Sequence, residues 1–311
     1  MRHTKLMTKM LAALLTIAMI VGWLPSVGLA QDQAPSQDRV PSPQDQAPPP
    51  SFTPDQLDNM VSRIALYPDP LLAQIMAAAT FPDQIPDAAK WADEHHYLTG
   101  ADLANAITGD HLPWDPSVQA MLPFPSVLGM MASDMNWTTD LGNAFLAQRQ
   151  DVMDAVQRMR QKAKDFGYLR SNGQVVVSGG PYIEITPVDP AFVCVPYYDP
   201  LVVFVAPRPG FFIGGAISFG YGVTLGVFFR PWGWGFSRFD WGAHVVILNN
   251  HPWGRVWANR AVYVHPYPGV RRWAPGGRVE GHALIPRSAR ERQAARQGHP
   301  RIEEHARPHG R

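Results

Sequence analysis

The feature that most constrains the fold of this chain is a change of hydrophobic period at residue 171. Upstream, apolar residues recur at helical spacing in short runs punctuated by proline. Downstream they alternate, in β-branched and aromatic runs separated by Gly/Pro turns. Side chains return to the same face about every 3.6 residues in a helix and at every second residue in a strand, so neither pattern suits the other element. The chain therefore reads as α+β: an N-terminal multi-helix domain over 53–170, then a small antiparallel β, Gly/Trp-rich segment over 171–270, with disordered tails.

Within the helical part, Thr53-Pro54-Asp55-Gln56 combines an N-cap, a proline at the first helical position and a capping-box glutamine. Leu57, Met60, Val61 and Ile64 then share a face. Asp69-Pro70 opens a second helix with Leu71, Leu72, Ile75 and Met76 inward, and Asp115-Pro116 repeats the signal. Thr99 caps a helix through Leu103 and Ile107 that stops near Gly109. The clearest stripe is Val152, Val156, Met159, Ala163 and Phe166, ended by Gly167. Asp151 and Asp154 lie near its start and Arg158, Arg160, Lys162 and Lys164 towards its end, complementing the helix dipole.

Beyond residue 171, Gln174–Val177, Tyr182–Thr186, Phe192–Val195 and His244–Leu248 read as strands. The uncharged run 211–229 fits two periods. As a helix it aligns Gly214, Ser218, Gly222 and Gly226 in a zipper suited to membrane packing. As a strand it sets Ile213, Ile217, Phe219, Tyr221, Val223, Leu225 and Val227 on one face and small residues on the other. Its glycines and aromatics favour the strand.

The ends bear on location. Arg2, Lys5 and Lys9 precede an apolar run from Met10 to Leu24 and the small residues Gly28 and Ala30. That is the layout of a secretory signal peptide over 1–30, with cleavage expected after Ala30. Residues 31–52 repeat Gln-Asp-Gln-Ala-Pro and end in three prolines, the composition of an extended linker. Residues 51–170 carry 8 basic and 15 acidic side chains, net −7, whereas 271–311 carry 10 Arg and 4 Glu, net +6. The tail reads as a disordered basic segment able to contact an anionic surface; no specific nucleic acid is expected. The single Cys194 rules out an intramolecular disulfide and reads as a small buried hydrophobe.

Several ordered motifs carry a family resemblance. They are Ile64-Ala65-Leu66-Tyr67-Pro68-Asp69-Pro70-Leu71-Leu72, Trp114-Asp115-Pro116-Ser117-Val118 and Phe124-Pro125-Ser126-Val127-Leu128. Further on stand Trp137-Thr138-Thr139-Asp140-Leu141-Gly142, Asp151-Val152-Met153-Asp154-Ala155-Val156-Gln157 and Val195-Pro196-Tyr197-Tyr198-Asp199-Pro200. Over residues 54–200 the chain resembles the exported bacterial proteins of domain of unknown function family 3300. The resemblance implies a Gram-negative envelope protein, periplasmic or outer-membrane-related, and it brings no catalytic residues with it.

The residues themselves point to little chemistry. Asp93-Glu94-His95-His96 is the densest polar cluster, but adjacent histidines on a helix diverge by about 100° and miss the spacing of a helical zinc pair. Asp110-His111 before Trp114-Asp115 reads as a hydrogen-bonded turn, since the chain has no Gly-x-Ser-x-Gly elbow, P-loop or dinucleotide fingerprint. His299, His305 and His309 offer only loose metal contact. No catalytic, cofactor-binding or metal residue is assigned. Tyr197, Tyr198, Trp232, Trp234, Trp241, Trp253, Trp257 and Trp273 are expected to be mostly core, filling a glycine-rich face. The leading expectation is a non-enzymatic envelope module that binds a protein, lipid or polysaccharide component. A version anchored by a helix at 211–229 and a hydrolase of surface polymers using acids such as Asp110–Asp115 are the alternatives.

Overall fold

The computed structural model describes residues 47–207, 215–220 and 222–263. The expected signal peptide, residues 31–46 of the linker, Phe211–Gly214, Tyr221 and everything from 264 onward lie outside the described residues. That includes Trp273 and the three tail histidines.

The helical part runs α1 (Pro54–Val61), α2 (Asp69–Ala79), α3 (Ile85–Glu94), α4 (Gly100–Gly109), α5 (Pro116–Gln119), α6 (Pro125–Ser133), α7 (Met135–Ala147) and α8 (Arg149–Asp165). Proline stands in the first turn of α1, α2, α3, α5 and α6, where its missing N–H leaves no bond unmade. The Thr53/Gln56 capping box forms in full. Asp115 and Asp134 cap α5 and α7 through Ser117 N–H and Trp137 N–H. Thr99 stands at the N-cap of α4 in extended conformation, but its side chain makes no capping bond. Gly167 takes the left-handed turn after α8 at φ 78°. Val152, Val156, Met159 and Ala163 are buried as the stripe requires, whereas Phe166 is half-buried.

The later strands are β1 (Val175–Val177), β2 (Ile185–Pro187), β3 (Phe192–Val193), β4 (Pro196–Tyr198), β5 (Ile217–Phe219), β6 (Val223–Thr224), β7 (Arg238–Asp240), β8 (Val245–Leu248) and β9 (His251–Pro252). A short helix, α9 (Pro200–Val203), precedes β5. All pairings are antiparallel: β1 with β2, β3 with β6, β4 with β5, and β7, β8 and β9 as a three-stranded sheet. Residues expected as one strand, 192–195, continue past a break into β4. The reason is visible in the register. Val193 pairs with Val223 and Pro196 with Phe219, so three steps on one strand face four on the other, and the glycine side carries an extra residue. In the described part of 211–229, strands form at Ile217–Phe219 and Val223–Thr224, whereas 226–229 turn and leave Val227 60% exposed, against the expected face. Ile217 and Phe219 turn inward and Ser218 outward, and no helix forms there. Among the described residues no helix is long and apolar enough to cross a membrane.

One apolar cluster crosses the boundary at 171. It joins Leu71, Ile75, Phe124 and Phe145 of the helices to Phe229, Trp232, Trp234, Trp241 and Trp253. These four tryptophans are at most 4% exposed. Three reach partners on or beside the helices: Trp234 Nε1 donates to Ala120 O at 2.9 Å, Trp232 Nε1 to Gln119 Oε1 at 3.0 Å, and Trp241 Nε1 to Asp69 Oδ2 at 3.0 Å. Gln74 on α2 is fully buried and donates in turn to Trp232 O and Ser237 Oγ.

Arg160 sits at the centre of this seam. Its side chain is completely buried, 2.7 Å from Asp69 Oδ1. It also donates to the carbonyls of Ala65 (2.8 Å), Ile183 (2.8 Å) and Tyr67 (3.0 Å), with the Trp241 ring 4.9 Å from the guanidinium carbon. Asp69 accepts from Ile185 N–H as well. Helix α8, the start of α2 and the strand part are tied at one point.

Buried phenols give the fold an alkaline limit. Burial pushes Tyr67 and Tyr263 up to about 12 and Tyr198 well above its ordinary value of 10.0. Tyr198 is held by donating to Ser62 O and accepting from Leu66 N–H. Above pH 10 the unfolded chain releases phenolic protons that the folded chain retains, so stability falls as pH rises from about 10 towards 12. Denaturant midpoints measured across that range should decline steadily. A flat profile would mean that these rings are wet.

Candidate functional site

A cleft of about 570 Å³ opens where the end of α3 and the start of α4 meet the 122–126 turn, Tyr197 of β4 and strand β6. His95, His96, Phe124, Tyr197, Val223 and Phe229 contribute to its walls. The imidazole of His95 lies parallel to the Trp91 ring, centroids 3.9 Å apart and planes at 14°. Its Nδ1 is 2.8 Å from Trp91 O. A carbonyl can only accept, so Nδ1 carries a proton and donates it there. Nδ1 of His96 is engaged the same way by Asp93 O. Tyr97, 59% exposed, extends the stack with its ring 6.4 Å from His95.

The two polar clusters noted in the sequence thus meet through Trp91. Trp91 Nε1 donates to Asp110 Oδ2 at 2.9 Å, so Asp110 braces the stack. His111 is exposed with φ 49°, a turn residue. Asp115 is buried and accepts from both the N–H and hydroxyl of Ser117. Asp93 and Glu94 are exposed. Among the described residues no group of three or more His, Cys, Asp or Glu is placed to hold a metal. Cys194 is 3% exposed, and burial raises its thiol pKa.

Tyr197 is the residue whose surroundings matter most. It is 51% exposed and forms the ridge between the large cleft and a second one of about 270 Å³ that contains Arg63, Tyr67 and Met130. Its ring lies over Gly220, where a Cβ would come within 2.7 Å. Phe192, 40% exposed, lies over Gly222, where a Cβ would come within 2.1 Å. These glycines seat aromatic rings diagonally across the strands, leaving ring edges and faces on the surface. Alternation alone hid this, because it marked Gly220 and Gly222 only as the small face. Of the other aromatics, Trp257 and Tyr198 are half-buried. A third cleft, about 320 Å³, lies between Leu66, Tyr168, Val175 and Phe219. None of these three clefts has a carboxylate in its walls.

The sequence profile of a family described as a protein of unknown function, DUF3300, matches residues 53–273. Uncharacterized protein YacH of Escherichia coli (strain K12) is 33% identical over 187 residues, 50% of this chain. The match spans 30% of that relative's own length. No solved structure matches the chain.

Proposed function

The chain belongs to the DUF3300 family, proteins of unknown function, and from that premise we propose that it is an exported cell-envelope protein that binds its ligand without transforming it. The large cleft and the Tyr197 ridge are the recognition surface. The observation that carries this reading is the wall chemistry: two histidines held by backbone carbonyls and the exposed Tyr197 ring on its glycine seat, with no carboxylate in the walls. Rings held half out of the surface supply contact area at little entropic cost, as binding sites do. Export rests on the charged, apolar and small-residue sequence of 1–30, and a mature chain is expected to begin at Gln31. The basic residues of 271–311 would add salt-sensitive attraction to an anionic envelope surface.

The test is retention of purified mature protein on its own envelope fraction. Replacing Tyr97 and Tyr197 together by alanine should leave the melting temperature nearly unchanged, since both rings are more than half exposed. Retention should fall by at least about tenfold, roughly 1.4 kcal/mol of binding. Unchanged retention with an intact fold would remove the cleft from consideration, and an N-terminus at Met1 in the envelope would remove export.

A further inference from the structure

Away from the cleft, Trp257 stands on a loop that packs against α8 and the end of α2. Two arginines hold the loop that presents it. Arg149, at the start of α8, donates to the carbonyls of Trp253 and Arg255. Arg255, 8% exposed, donates to the carbonyl and hydroxyl of Thr80 (2.6 and 2.9 Å) and to Arg260 O, with the Phe81 ring 3.7 Å away. Desolvation lowers the pKa of both guanidinium groups. Burying two cations is unfavourable unless their donors find acceptors; here the terminal guanidinium nitrogens reach carbonyls and the Thr80 hydroxyl, while both Nε atoms make no hydrogen bond. These bonds tie the loop to α8 and to the end of α2.

What it presents is an indole with a donor. The Trp257 ring is half-buried, the guanidinium of Arg260 stacks on it at 3.7 Å, and Nε1–H donates to Ala47 O at 2.9 Å. Five residues on, the amide of Gln148 takes the backbone of Phe52 at two points, N–H to Oε1 at 2.6 Å and Nε2 to the carbonyl at 3.2 Å. Between these anchors lie Pro48, Pro49 and Pro50, with no helix or strand. Consecutive prolines have fixed φ and no N–H, so they are extended before they bind and lose little entropy on docking. An aromatic donor meeting a carbonyl of such a segment is a general mode of polyproline recognition.

We propose that Trp257, Arg260 and Gln148 form a polyproline-recognition site, filled by the chain's own residues 47–52 and open to a proline-rich extended peptide when that segment is released. The pentapeptide Gln44–Pro48, which contains the hydrogen-bonded Ala47, also occurs at Gln31–Pro35, where Ser36 follows, so only the Ala-Pro step and not the run of three prolines is repeated.

The probe is a labelled peptide of residues 47–52, Ala-Pro-Pro-Pro-Ser-Phe, titrated into the full chain. In a variant with Pro48→Gly, Pro49→Gly and Pro50→Gly, the chain's own segment is weakened. The peptide should bind it saturably and at least about tenfold more tightly than wild type, whose tethered segment competes at an effective concentration of order millimolar. Adding Trp257→Ala should abolish binding, and adding Trp257→Phe, which keeps a ring but removes the donor, should reduce it. Circular dichroism establishes that each variant is folded. Equal or absent binding in the folded triple variant, or binding that survives Trp257→Ala, overturns the proposal.

Discussion

Asp69→Ala should lower the melting temperature by about 6–20 °C, corresponding to roughly 3–5 kcal/mol, the cost of leaving a buried charge without its partner. Arg160 has no exposed surface and sits 2.7 Å from Asp69. Without the carboxylate its charge stays in the core, and its remaining donors reach only the carbonyls of Ala65, Tyr67 and Ile183. Trp241 Nε1–H and Ile185 N–H lose their acceptor in the same step. Asp69→Asn removes the charge but retains one acceptor, so it should fall between alanine and wild type. The double variant Asp69→Leu/Arg160→Met should be less destabilised than Asp69→Ala, because apolar replacement of a buried pair is often neutral or favourable. Thermal or urea melts of the four proteins decide the matter. A loss below about 1 kcal/mol in the single variant would mean that water or a neighbouring group compensates the arginine.

That ion pair marks where sequence reading was strong and where it stopped. The helix starts were legible because Thr53, Asp115 and the prolines act locally, on N–H groups within three residues of them. Inward faces were legible as well, since Leu57, Leu71, Ile75 and Val156 follow one period and all are buried. Arg160 was read as a charge near the end of α8, favourable to the dipole. Its position carried another signal: Met153, Val156, Arg160 and Ala163 lie on one face, and all four are buried. Its partner is 91 positions away, and nothing in the local pattern pairs them. The change of period at 171 located the switch in secondary structure, but the core runs through it, because tryptophans from the β segment fill space left by the helices. Of the candidate cleft, the residues were visible and the arrangement was not. His95 and His96 stood out in one polar cluster and Asp110 in another, whereas the linkage of His95 to Asp110 through Trp91 and the seating of Tyr197 on Gly220 depend on contacts between separate segments.

Gly142→Ala should destabilise the protein by about 2–4 kcal/mol, even though alanine is favoured over glycine within a helix by roughly 1 kcal/mol. Gly142 lies inside α7, where the end of α2 crosses it. A Cβ there would stand 2.0 Å from Ala79 O and 2.6 Å from Ala79 C, well inside van der Waals contact. The obstacle is backbone, so no side chain can rotate away, and the two helices must separate at their closest point. Separation also shifts Thr80, whose carbonyl and hydroxyl receive Arg255, and so loosens the loop that presents Trp257. Hydrogen exchange should therefore quicken at Thr80 and at residues 253–260 together. Gly129 provides the internal control. It lies in α6 with nothing within 4 Å of its would-be Cβ, so Gly129→Ala should stabilise by up to about 1 kcal/mol. The same substitution at two helical glycines should thus move stability in opposite directions, and equal effects would show that α2 and α7 do not approach this closely.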